Sequence, residues 1–124
     1  MGRGWNGGKR RLVVAALLIV FSRSAQSADG EDGARAEPPA PARQHRLVQM
    51  VRHDCGSCHG LTLSGGLGPA LVPQAVQDKP VAYLQAMILR GRPGTAMPGW
   101  QGLLSEQDAH WIARKLKEGF PDER

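Results

Sequence analysis

The chain of 124 residues has only two cysteines, Cys55 and Cys58. With His59 they offer a zinc ion three ligands, and no second pair exists to complete the tetrahedron. Alternating runs of β-branched residues are also missing, so no strand precedes the pair as a redox dithiol in a βαβ unit requires. The longest apolar run, Leu12 to Phe21, is well short of the ~20 residues that cross a bilayer. Acidic residues are absent from the first 27 positions, which hold five of the 16 basic side chains, Arg3, Lys9, Arg10, Arg11 and Arg23. Basic residues followed by a short apolar run make residues 1–27 an export signal, with cleavage expected after Ser27 and retention as an anchor as the alternative. Arg10-Arg11 hints at twin-arginine export, but the residues after it match poorly, and the general secretory route is preferred.

The formal charge of +5 belongs to that segment. Without it, 11 basic face 11 acidic residues, so neither nucleic acid nor, once the signal is removed, a membrane is an expected partner. Residues 28–43, rich in Ala, Pro, Gly, Glu and Asp, offer little to bury and read as a disordered linker. Residues 44–124 remain as one domain, of a size at which a side-chain core gives little stability without a staple or cofactor.

What the domain does have is Cys55-Gly56-Ser57-Cys58-His59. This spacing attaches haem through two thioethers and supplies the proximal iron ligand. It explains the adjacent histidine, which the dithiol reading does not, and a structural pair or a chance match is the bland alternative. Exported thiols also need a fate in an oxidising compartment, and thioether bonds to haem provide one. One such motif allows one haem c, and the expected compartment is the bacterial periplasm.

The domain reads as all-α. Leu47, Val48, Met50 and Val51 form an apolar stripe running into Cys55. A second helix is predicted over 80–90, with Val81, Leu84, Met87 and Ile88 on one face and Gly91 at its end. A third starts at Ser105-Glu106-Gln107-Asp108, a capping-box-like sequence, and carries Trp111, Ile112 and Leu116. Between the helices, the glycines of 65–71 let backbone approach a flat ligand, and Pro69 is the candidate carbonyl to receive the second N–H of a metal-bound His59; a plain Gly-Pro turn is the alternative. The loop 94–100 places Met97 among helix-breaking residues, 38 positions after His59, as the expected distal ligand. Met50 and Met87 fall on apolar stripes and read as core. His53 and His110 are the bis-histidine rivals, and an open distal site is the third possibility.

In this order, Cys55-Gly56-Ser57-Cys58-His59-Gly60, Gly68-Pro69, Met97-Pro98 and a C-terminal amphipathic helix resemble a class I cytochrome c over about residues 47–118. Asp54 to Thr62, Leu67-Gly68-Pro69 and Gly91 to Pro98 are most similar to the small cytochromes encoded beside cytochrome cd1 nitrite reductase in denitrifying bacteria. The resemblance implies three to four helices wrapped around one covalent haem, terminal helices crossing near it, a Pro69 carbonyl on His59 and a Met97 loop closing the distal side. The family often places a small residue and an aromatic at the helix crossing; here the first helix has no aromatic or glycine before Cys55, which leaves Trp111 as the candidate contact.

Iron held by His59 and Met97 keeps no position for substrate, so electron transfer rather than catalysis is expected. Leu71, Leu84, Ile88 and Leu103 are expected to wrap the haem, and Trp100 and Arg92 to hydrogen-bond its propionates; a solvated arginine and an exposed tryptophan are the alternatives. The expected protein is a monomeric periplasmic carrier passing single electrons to a cytochrome cd1-type nitrite reductase or serving the maturation of its haem d1. The alternatives are a haem enzyme or ligand sensor with a dissociable distal methionine, and the haem subunit of a larger oxidoreductase.

Overall fold

The computed structural model describes residues 1–2 and 37–122. All but Met1 and Gly2 of the expected export signal, and residues 28–36 of the expected linker, lie outside the described residues.

The first helix, α1 (Pro41–Met50), starts on a proline in its first turn, where a missing N–H costs nothing. It therefore begins ahead of the expected domain start at 44, and residues 41–43, read as linker, belong to the fold. The reason is Arg43, which reaches across the sequence to donate two hydrogen bonds to the Asp108 carboxylate, at 3.1 and 2.8 Å. Leu47 and Val48 of α1 are buried, and so is Val51 one turn on.

At Val51 the helix widens into a π-helical turn, Val51–Cys55, and then resumes as α2 (Gly56–His59). A π turn changes which direction the following side chains point, and such turns collect at functional positions. Nothing in the apolar spacing announced it. Gly60, at φ 83°, ends the run.

A single helical turn, α3 (Pro73–Val76), was not expected and buries Val76. It is followed by α4 (Val81–Arg90), whose N-cap is Pro80 and whose end is Gly91 at φ 72°. The last helix, α5 (Glu106–Glu118), opens on a complete capping box: the Ser105 hydroxyl accepts from the Asp108 N–H at 3.1 Å, and the Asp108 carboxylate accepts from the Ser105 N–H at 3.0 Å. Its apolar stripe buries Trp111, Ile112 and Leu116, beside the fully buried Ala109 and Ala113.

Among the described residues there is no strand, and the fold is all-α. Helices α4 and α5 pack on each other most extensively. Trp111 joins the same core cluster as Leu47, Val48 and Val51. Its aromatic partner comes from the C-terminal tail: Phe120 stands edge-on to Trp111 at 6.2 Å. Arg52 of the π turn lies over the Phe120 ring at 5.6 Å and donates to the carbonyls of Phe120 and Pro121. An arginine and a tail phenylalanine thus complete the contact that the first helix has no aromatic to make.

No helix among the described residues is long and apolar enough to cross a membrane.

Candidate haem site

The π turn and α2 carry Cys55, Cys58 and His59 on consecutive turns, with Cys55 half-buried, Cys58 exposed and His59 buried. The cysteines are not bonded to each other. Burial, with Asp54 and Cys58 adding to it, pushes the Cys55 thiol up to about 11. Reactive dithiols work through thiolates of depressed pKa, so this environment opposes the dithiol reading. Among the described residues, no three His, Cys, Asp or Glu side chains gather into a group that could hold a metal ion.

The loop after α2 is built around the His59 ring. Its Nδ1–H donates to the Pro69 carbonyl at 2.7 Å, which leaves Nε2 as the nitrogen for a metal. The loop is tied to α2 by the Gly65 N–H on the His59 carbonyl and the Gly68 N–H on the Cys58 carbonyl, both at 2.8 Å. Gly68 faces the imidazole so closely that a Cβ there would stand 2.8 Å from Cε1 and 2.9 Å from Nδ1. Glycine is required there by contact with the ring rather than by backbone conformation. The motif Gly68-Pro69 is therefore more than a turn: one residue makes room for the ring and the next orients it.

The Met97 loop is held just as closely. A Cβ on Gly91 would lie 2.6 Å from the Met97 carbonyl, which accepts from the Arg92 N–H at 3.2 Å. The Thr95 hydroxyl donates to the Arg92 carbonyl at 2.7 Å and accepts from the Met97 N–H at 3.3 Å. The chain then lies back on the end of α4, where the Trp100 N–H meets the Ile88 carbonyl at 3.0 Å.

Two adjoining cavities, of about 300 and 340 Å³, open between these loops and the helices. Cys55, His59, Pro69, Arg92 and Met97 line both, while Cys58 and Trp100 line the second. Cys55, Cys58, His59, Pro69, Arg92, Met97 and Trp100 thus all line this pair of cavities. Met50 and Met87 line only the first cavity, and His53 and His110 line neither. Of the expected wrapping residues, Leu71, Leu84 and Ile88 line the first cavity. Leu103 does not: it is 65 % exposed, and Leu104, at 5 %, takes its place. The correction follows from the turn before α5, where the N–H groups of Leu103 and Leu104 both reach the Trp100 carbonyl and one leucine must face outward. Leu104, Lys79 and Tyr83 were missed as wall residues, since none stands in a ligand spacing.

The residues fit a covalently held haem: a slot whose walls are mostly apolar, two thiols, an imidazole with one nitrogen already satisfied, and a thioether. An all-α shell arranged around such a slot is the architecture of a small c-type cytochrome.

Comparison with known proteins agrees. A family profile described as cytochrome C oxidase, cbb3-type, subunit III, matches residues 42–114. Cytochrome c55X of Pseudomonas aeruginosa is 54 % identical over 87 residues, 70 % of this chain and 73 % of that one. Cytochrome c55X of Paracoccus denitrificans is 55 % identical over 103 residues, 83 % of this chain and 91 % of its own. Among solved structures, the c-type cytochrome NirC superposes with a TM-score of 0.65 at 54 % identity, covering 66 % of this chain and 96 % of NirC. The dihydro-heme d1 dehydrogenase of Pseudomonas aeruginosa is 35 % identical over 91 % of this chain, which corresponds to 20 % of that larger protein. The chain belongs to the c-type cytochromes, in the family of cytochrome c55X. It is a monohaem electron carrier, not an enzyme, and its cofactor is haem c.

Proposed function

We propose that this cytochrome is a monomeric periplasmic carrier that passes single electrons within the nitrite reductase cd1 system. When bound, the haem supplies an iron that cycles between the ferric and ferrous states. Cys55 and Cys58 would hold it through thioether links, and His59 and Met97 would ligate its iron. The Pro69 carbonyl fixes the tautomer of His59 and raises its basicity. The Met97 thioether favours the ferrous state and raises the potential, while Leu71, Leu84, Ile88 and Leu104 exclude water and disfavour the added charge of ferric iron. Arg92 and Trp100 hydrogen-bond the haem carboxylates. With His59 and Met97 both ligating the iron, a substrate would have no place on it, which speaks against the enzyme and sensor alternatives.

The observation that carries this reading is that His59 and Met97 line the same two cavities, with the rival histidines absent from both. The expected partner is a cytochrome cd1-type nitrite reductase, met through a small transient interface around the haem edge. Maturation of haem d1 is the second destination, favoured by the likeness to one fifth of a dihydro-heme d1 dehydrogenase. Residues 1–27 act as the export signal and are removed.

Stopped-flow mixing of the haem-loaded protein with each candidate tests the proposal. Ferrous carrier that is oxidised rapidly by nitrite reductase supports the first destination. Ferric carrier that is reduced by the dehydrogenase only when its substrate is present supports the second. Exchange with neither partner removes the proposal.

A further inference from the structure

Resting on the proposed haem site, we propose that Tyr83, supported by Lys79, is a positioning residue that donates a hydrogen bond to a haem carboxylate. Arg92 and Trp100 are then left to serve the other. The argument begins with the polar inventory of the first cavity. Its walls carry no Asp or Glu side chain, and apart from His59 their polar side chains are Lys79, Tyr83 and Arg92. A cavity with donors and cations but no carboxylate of its own suits an anionic group.

The donors are also unspent. Among the described residues no protein group accepts from the Tyr83 hydroxyl, the Arg92 guanidinium or the Trp100 indole N–H, and Tyr83 is 45 % exposed, whereas Lys79 donates to Asp78 at 3.0 Å and to the Ala75 carbonyl at 3.4 Å. Their placement divides them. Tyr83 and Lys79 line only the first cavity, Trp100 only the second, and Arg92 stands where the two meet. Lys79 and Tyr83 are four residues apart across the start of α4, and Met87, one further turn along, lines the same wall. This wall is polar at one end and apolar at the other, as an amphiphilic macrocycle with two carboxylates on one edge demands. Haem c carries two propionates, and one arginine fork beside one indole does not occupy both. The other titratable side chains on the walls are His59 and Cys55 of both cavities and Asp54 and Cys58 of the second. Asp54 would repel a carboxylate, and both cysteines are committed to thioethers.

The test uses haem-loaded protein and resonance Raman spectroscopy, because the bending band of the haem carboxylates falls in frequency when a hydrogen bond to them is lost. Tyr83→Phe keeps the ring and removes only the hydroxyl. The expected result is a downshift of one carboxylate band, with the near-infrared methionine-to-iron band unchanged. Lys79→Gln is expected to shift the same band, and Arg92→Gln the other. Carboxylate bands in Tyr83→Phe that superimpose on the unmodified protein overturn the inference. If Tyr83→Phe does not accumulate with haem, Lys79→Gln decides in the same way. Failure of the underlying site looks different: the unmodified protein would lack the methionine-to-iron band altogether.

Discussion

Replacing Arg43 with methionine keeps the aliphatic stem and removes the charge that α1 offers to α5. The Asp108 carboxyl is held at about 2, below its ordinary 3.8, chiefly by the hydrogen bonds from Arg43, with burial opposing and Ser105 assisting. Because the folded pKa is the lower one, the stabilisation is present above the unfolded value near 4 and is lost as pH falls toward 2. A shift of that size corresponds to roughly 2 kcal/mol. The pair is shielded enough for the figure to stand, with the side chains 29 % and 7 % exposed. Because Ser105 keeps its share of that shift, Arg43→Met is expected to cost about 1–2 kcal/mol near neutral pH, or a melting temperature lower by roughly 5–10 °C in a domain of this size. Between pH 4 and pH 2 the gap between variant and unmodified protein should narrow, since the unfolded chain takes up the Asp108 proton over that range and draws the unmodified protein's advantage down. Denaturant titrations of the haem-loaded proteins at pH 7 and pH 2.5 measure this. A loss below about 0.5 kcal/mol at pH 7, or an equal loss at both pH values, would show that the pair does not tie the helices together.

Gly68→Ala places a methyl group within 3 Å of the His59 ring, so the imidazole must tilt away from Pro69; a changed midpoint potential in protein voltammetry is the expected outcome, with haem still attached. Leu104→Ala should cost about 2–5 kcal/mol by emptying a buried position, while Leu103→Ala should stay within about 0.5 kcal/mol, and chemical denaturation separates the two. Arg52→Ala removes the hydrogen bonds to Phe120 and Pro121 together with the ring contact. Faster amide hydrogen exchange in the C-terminal tail is expected, with the visible spectrum unchanged.

Helix α5 could be read from sequence because its cap and its stripe agree: Ser105 and Asp108 satisfy each other locally, and the periodicity of Trp111, Ile112 and Leu116 needs no partner to be seen. Helix α4 was legible for the same reason, between Pro80 and Gly91. The haem motif and the methionine loop stand out because fixed spacings and helix breakers are chemical requirements. The remaining features depend on residues distant in sequence. Arg43 looks like linker until Asp108 lies beside it, and the π turn leaves the order of apolar residues unchanged. Choosing Leu104 over Leu103 requires knowing which way a turn faces. Trp111 was recognised as a contact residue, but its aromatic partner sits in the tail beyond α5, where no helical pattern points to it.

The decisive measurement is the near-infrared spectrum of the ferric, haem-loaded protein, taken beside that of Met97→Ala. A methionine-to-iron charge-transfer band that is present in the unmodified protein and lost in the variant is the expected result for a His59 and Met97 carrier. Attached haem with no such band in the unmodified protein would contradict it.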